Sequence, residues 1–122
     1  MAKRVLIFDD DTDILEISKF VLEKRGFEVF TEQSCTNVIE DLKKYKPDVV
    51  IMDNWIPEIG GVEATRIIKS DPEFGKTPVI LFTASKDIRS LTKEAGADAF
   101  IAKPFNLEEM EETVENVLKN SV

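Results

Sequence analysis

Residues 4–14 read Arg4-Val5-Leu6-Ile7-Phe8-Asp9-Asp10-Asp11-Thr12-Asp13-Ile14. Four bulky apolar residues in succession, without the alternation of a half-exposed strand, suit a strand buried on both faces, and such strands belong to parallel sheets. The aspartates that break the run are short acids at a helix start, where free amides and the helix dipole favour them. Asp11 or Thr12 is the expected N-cap. Ile14, Ile17 and Val21 then recur at helical spacing on one predicted apolar stripe, and Gly26 is the expected left-handed stop. Strand, acidic turn and helix make a first βα unit.

The rest of the chain repeats that unit. Apolar runs return at 27–31, at Val49-Val50-Ile51-Met52, at Val79-Ile80-Leu81-Phe82 and at Ala99-Phe100-Ile101-Ala102. Between them, Val38, Leu42 and Tyr45 share a helical face that ends before Pro47. Further helices are predicted over 62–68 and over 87–95, the latter ending before Gly96. The last helix sets Leu107, Met110, Val114 and Val117 on one face and Glu108, Glu109, Glu111, Glu112 and Glu115 opposite, behind an Asn106-x-x-Glu109 capping pattern. This alternation predicts an α/β domain, a doubly wound parallel five-stranded sheet with helices on both faces and right-handed crossovers. At 122 residues, with no repeat or Pro/Gly/Ser linker, the expectation is one domain over 1–122 and no output domain.

Composition narrows the chemistry. The chain has no histidine and one cysteine, Cys35. A Ser-His-Asp or Cys-His pair, a histidine-ligated zinc, a C-x-x-C redox pair and an internal disulfide are therefore excluded. The residues before Asp9 are too few for a signal peptide, and no apolar stretch approaches the ~20 residues that span a bilayer, so a cytoplasmic protein without membrane contact is expected. The formal net charge of −8 and the glutamates of the last helix argue against direct nucleic-acid binding. Oxygen chemistry remains, with lysine or arginine as counter-charge.

Ligands of open parallel sheets bind beyond the carboxyl ends of the strands. There the sequence delivers Asp9 and Asp10 after the first strand, Asp53 after the third, Thr83 after the fourth and Lys103 after the fifth. Like-charged carboxylates brought together repel one another unless a cation is present. Mg²⁺ suits them, because it takes hard oxygen ligands, few of them carboxylates, and pairs with phosphate. Lys103 would offer a fixed positive charge to a phosphoryl group and Thr83 a hydrogen bond. An aspartate beside such an ion is a candidate nucleophile, giving an aspartyl phosphate.

These residues, with Pro57 and Gly61 after Asp53, Phe82-Thr83-Ala84, and Ala95-Gly96-Ala97 leading to Phe100-Ile101-Ala102-Lys103-Pro104-Phe105, resemble the receiver domain of two-component response regulators over the whole chain. The resemblance implies the flavodoxin-like (βα)5 fold with strand order 2-1-3-4-5. It implies Asp53 as phosphoacceptor, taking its phosphoryl group from a sensor histidine kinase or histidine phosphotransfer protein. Asp10 and Asp53 would bind Mg²⁺ directly, Asp9 through a water, and the Trp55 backbone carbonyl would complete the protein's ligands. Thr83 and Lys103 would contact phosphoryl oxygens, and Lys103-Pro104 would be cis. Thr83 and Phe100 would form the switch that repacks the fourth helix, fifth strand and fifth helix, the face for a downstream target. The protein would be a monomer or a phosphorylation-dependent dimer, with self-phosphorylation and autodephosphorylation as its only chemistry. Departures from the family pattern are Phe100, which lacks the usual tyrosine hydroxyl, Ile56 in place of methionine, and Gly60 where an acid is common. Trp55 and Ser85 stand two positions past Asp53 and Thr83, where the family modulates loss of the phosphoryl group.

Two other readings stay open. A small Mg²⁺-dependent phosphohydrolase resembling the haloacid dehalogenases would use Asp9 as nucleophile and Asp11 as acid/base, but leaves Asp53 unexplained. A receiver-like adaptor would bind its partner without phosphorylation. Two decoys fail: Gly75-Lys76-Thr77 lacks the first glycine of a P-loop and runs into Pro78, and Asp9-x-Asp11-x-Asp13 lacks the glycine and glutamate of a calcium loop. Cys35 is most simply a small buried side chain.

Overall fold

The computed structural model describes residues 2–56, 59–103 and 106–120. Each apolar run is a strand and each periodic segment a helix, in the order β1 (Arg4–Phe8), α1 (Thr12–Lys24), β2 (Glu28–Glu32), α2 (Val38–Tyr45), β3 (Val49–Asp53), α3 (Gly61–Ser70), β4 (Val79–Thr83), α4 (Ile88–Ala95), β5 (Ala99–Ala102) and α5 (Leu107–Asn120). The sheet is parallel throughout and ordered β2-β1-β3-β4-β5. The central strands β1, β3 and β4 are buried from Val5, Val49 and Val79 onward, as their unbroken apolar runs require.

Strand alternation divides the core between the two faces. Val5, Ile7, Val49, Ile51, Ile80, Phe82 and Ile101 pack with Leu15 and Leu22 of α1 and Met110 and Val114 of α5. On the other face Leu6, Phe8, Val50, Met52 and Val79 meet Val38 and Leu42 of α2 and Ala64 and Ile68 of α3. Each such aliphatic or aromatic side chain contributes about 1.5–3 kcal/mol when fully buried.

Local signals end the helices. Asp11 is the N-cap of α1 and accepts from the amides of Asp13 and Ile14; Asn37 and Asn106 accept in the same way from Glu40 and Glu109. Gly26 and Gly96 adopt positive φ after α1 and α4. Lys46, a non-glycine, takes φ 49° at the end of α2, where Pro47 disfavours helical backbone in the residue before it. The stripe predicted for α1 is a correction. Its buried face is Leu15, Ser18, Val21 and Leu22, while Ile17 is 43% exposed. In α5, Met110 and Val114 are buried but Leu107 stands at 41% exposure. Two of the α5 glutamates are not merely solvated, since Glu115 and Glu111 pair with Arg25 at 2.8 and 3.6 Å.

Candidate functional site

The twofold strand period that sorts the core also builds the site. Val5 and Ile7 face α1 and α5, so Asp9 leaves β1 toward the same layer; the same count puts Asp53 with Val49 and Ile51, and Lys103 with Ile101. Asp9 and Asp53 are buried and Asp10 is exposed, and one carboxylate oxygen from each lies within 4.8 Å of the others. Asp9 is held twice: Oδ1 accepts from the Asp11 amide at 2.9 Å and Oδ2 from Lys103 Nζ at 2.9 Å. Asp53 Oδ1 accepts from Lys103 Nζ at 2.7 Å and Oδ2 from the Trp55 amide at 3.2 Å. The Lys103 ammonium therefore bridges two buried carboxylates, and it lies over the Phe82 ring, 4.7 Å from the centroid.

Three carboxylates face one ammonium, and the titration of the pair reflects this imbalance. Burial pushes the Asp53 carboxyl above its ordinary range, the hydrogen bond from Lys103 pulls it back, and the charge of Asp9 pushes it up again. Burial disfavours the Lys103 ammonium, yet its bonds to Asp53 and Asp9 and their charges together outweigh that and raise it. The cluster can hold a divalent metal ion: hard oxygen donors converge, and their mutual repulsion falls when a cation joins them.

Thr83 is buried at the end of β4, where its Oγ1 accepts from the Ser85 amide at 3.1 Å and its carbonyl accepts from the Lys103 amide at 2.9 Å. The β3–α3 turn closes tightly behind Asp53. A Cβ on Gly61 would stand 2.1 Å from the Asp53 carbonyl oxygen, and Gly60 has φ 79° and ψ 153°, a region almost restricted to glycine. This accounts for the glycine at position 60 in place of an acid.

A family model for the response regulator receiver domain matches residues 5–115. The chain belongs to that family. As a receiver domain it is a signalling module of two-component systems. It is 29% identical over 120 residues to the polar-differentiation response regulator DivK of Brucella ovis, an alignment covering 97% of this chain and 98% of that one. Among solved structures it is similar to the chemotaxis response regulator CheY4 of Vibrio cholerae, with 26% identity, a TM-score of 0.88, and 96% and 99% of the two chains covered. A CheY-like receiver domain protein of Methanospirillum hungatei matches with 28% identity, a TM-score of 0.88, and 99% and 97% covered. Among the described residues, no helix is long and apolar enough to cross a membrane.

Within this receiver domain, Asp9, Asp10, Asp53 and Lys103 come together as the sequence anticipates, with Thr83 on the neighbouring strand end. The Trp55 amide reaches Asp53, while its side chain is 73% exposed. Phe100 is half-buried on β5 with the Arg89 guanidinium of α4 over its ring, 5.5 Å from the centroid. Pro57, Pro104 and Phe105, and with them the expected cis Lys103-Pro104 bond, lie outside the described residues. The Asp11 carboxylate, which the phosphohydrolase reading makes its acid/base, is the cap of α1 and accepts from the Asp13 and Ile14 amides. Sequence reasoning missed the Phe82 ring beneath Lys103. Its signal was an aromatic where Val79, Ile80 and Leu81 are aliphatic, one position before Thr83.

Proposed function

We propose that Asp53 is the phosphoacceptor and that it takes its phosphoryl group from a phosphohistidine on a separate sensor kinase or phosphotransfer protein. The observation that carries this reading is the Asp53 carboxylate itself: buried, oriented by Lys103 and the Trp55 amide, and within 4.8 Å of two further carboxylates. Asp9, Asp10, Asp53 and the backbone carbonyl of Trp55 would hold Mg²⁺, which when bound supplies charge compensation for carboxylates and phosphoryl oxygens. An Asp53 oxygen attacks phosphorus, the bond from phosphorus to the donor imidazole nitrogen breaks, and that nitrogen keeps the bonding pair. Lys103 neutralises charge on the transferring group, and the Thr83 hydroxyl donates to one of its oxygens. Hydrolysis of the acyl phosphate by water restores Asp53, so the domain's chemistry is confined to its own phosphorylation and dephosphorylation.

Thr83 and Phe100 would carry the signal to the α4–β5–α5 face, where a downstream protein docks, and phosphorylation would set whether the domain stays monomeric or dimerises. The Arg89 guanidinium over the half-buried Phe100 ring is the contact that an inward turn of the ring would break. A cytoplasmic location fits such a donor.

The test is intact mass after incubation with acetyl phosphate, with and without Mg²⁺, on wild type and Asp53→Asn. One added phosphoryl group that requires both the ion and Asp53 is expected. An adduct that survives in Asp53→Asn would overturn the assignment of the acceptor, and partner binding unaffected by that substitution would favour the adaptor reading.

A further inference from the structure

We propose that the Phe82 ring is a positioning residue for Lys103, a neutral seat that keeps the ammonium at the acceptor site when its carboxylate partners are engaged elsewhere. The inference deepens the phosphoacceptor reading and rests on it for its consequence in phosphoryl transfer. Its geometric part stands separately.

Phe82 and Asp53 are register partners on adjacent strands, and strand alternation turns both toward the α1–α5 layer, the side to which Asp9 and Lys103 also project. Phe82 is fully buried, so its ring does not exchange contacts with water, and Lys103 Nζ lies 4.7 Å from its centroid. The ammonium is only partly wet, with 17% of the Lys103 side chain exposed. A cation over an aromatic face gains most when desolvated in this way.

The other partners of the ammonium are Asp9 Oδ2 and Asp53 Oδ1. Any cation or phosphoryl group that engages Asp9 and Asp53 competes with Lys103 for those oxygens. It does not compete for the ring. An aliphatic residue of similar volume would fill the same core space and offer no attraction to the charge. The remaining β4 core positions, Val79, Ile80 and Leu81, are of that kind.

Fluorination separates packing from charge attraction, because it withdraws electron density from the ring face while barely changing its shape. Phenylalanine with one, two or three ring fluorines is placed at position 82, and the ε-methylene protons of isotope-labelled Lys103 are followed by NMR in saturating Mg²⁺. Wild type should show these protons shielded by the ring, with shielding declining stepwise along the series and vanishing in Phe82→Leu. In parallel, acetyl phosphate should label the trifluoro protein about thirtyfold more slowly than wild type, the rate equivalent of a typical desolvated cation–π contact. In a Lys103→Ala background the same replacement should leave the residual rate unchanged.

Lys103 signals indifferent to fluorination would overturn the seat while leaving Asp53 phosphorylation untouched. Responsive signals with an unaltered labelling rate would overturn its part in transfer. Responsive signals in a wild type that acquires no phosphoryl group from acetyl phosphate or from a phosphohistidine donor would uphold the seat and overturn the phosphoacceptor reading.

Discussion

The Lys103 ammonium lies 2.7 Å from Asp53 Oδ1 although the two residues are 50 positions apart in the chain, and the same nitrogen reaches Asp9, 94 positions away. One cation thus ties the ends of three strands and compensates two buried carboxylates. Removing one member of a buried ion pair leaves the other uncompensated, which commonly costs about 3–5 kcal/mol. For Lys103→Ala in metal-free buffer we expect a loss nearer about 2–3 kcal/mol, since the ammonium is partly solvated. Saturating Mg²⁺ should close more than half of that gap, and the variant should bind Mg²⁺ more tightly than wild type. Urea unfolding with and without Mg²⁺ measures both; a gap indifferent to the ion would mean that Lys103 and the metal do not share the same carboxylates.

Gly60 and Gly61 make different demands on the turn after β3, and alanine at each separates them. At Gly61 the added Cβ meets backbone, 2.1 Å from the Asp53 carbonyl oxygen and 2.8 Å from Asn54 Cα, so the turn itself must shift. Gly61→Ala should cost about 3 kcal/mol or more and weaken Mg²⁺ binding, because the displaced segment carries Asp53. At Gly60 no atom of the described residues beyond its chain neighbours lies within 4 Å of the added Cβ, and the positive φ is what opposes it. Gly60→Ala should cost about 1–2 kcal/mol, with Mg²⁺ affinity retained. Denaturation midpoints and calorimetric Mg²⁺ titrations on both variants decide the ranking.

The legible and illegible parts of the molecule divide along physical lines. Unbroken apolar runs such as Val49-Val50-Ile51-Met52 announce strands buried on both faces, and the polar residue after each run announces the edge where the site forms. Strand order is different, since nothing in the periodicity says that β3 pairs with β1; that came from resemblance. In α1 two stripes compete at helical spacing. The eye follows Ile14, Ile17 and Val21, whereas the fold buries Leu15, Ser18 and Leu22 with Val21, because packing against β2 and α5 decides which face is covered. The Lys103 bridge and its Phe82 seat depend on contacts between distant strand ends, which no local pattern encodes.

Cys35 is fully buried, and burial pushes its thiol up to about 12, with the charges of Asp41 and Glu32 adding to the effect. In the unfolded chain the thiol ionises from about pH 8.5 upward. Between these limits the unfolded state has released a proton that the native state keeps, so stability falls as pH rises. The slope approaches about 1.4 kcal/mol per pH unit. Relative to Cys35→Ala, wild type should lose stability progressively above pH 9, after allowing for the constant cost of the missing sulfur. Below pH 8 the difference between the two should be flat. Native thiol labelling should also be slow and should speed up in urea. A pH-independent difference up to pH 11 would mean that the thiolate is tolerated in the core.

Trp55 stands two positions past Asp53 with its amide on Asp53 Oδ2 and its side chain 73% exposed. An indole so placed loses little by covering a phosphoryl group, because it leaves few packing contacts behind when it moves. We expect it to hinder the in-line approach of water to the acyl phosphate. Trp55→Ala should then dephosphorylate about threefold faster, a barrier change of about 0.7 kcal/mol. Phosphorylation should also shift the Trp55 emission toward shorter wavelength as the ring leaves water, giving a direct probe in the only tryptophan of the chain. Decay of the phosphorylated mass after removal of acetyl phosphate supplies the rate. An unaltered rate combined with unaltered emission would show that the ring stays in solvent, and its exposure would then serve a docking partner instead of the phosphoryl group.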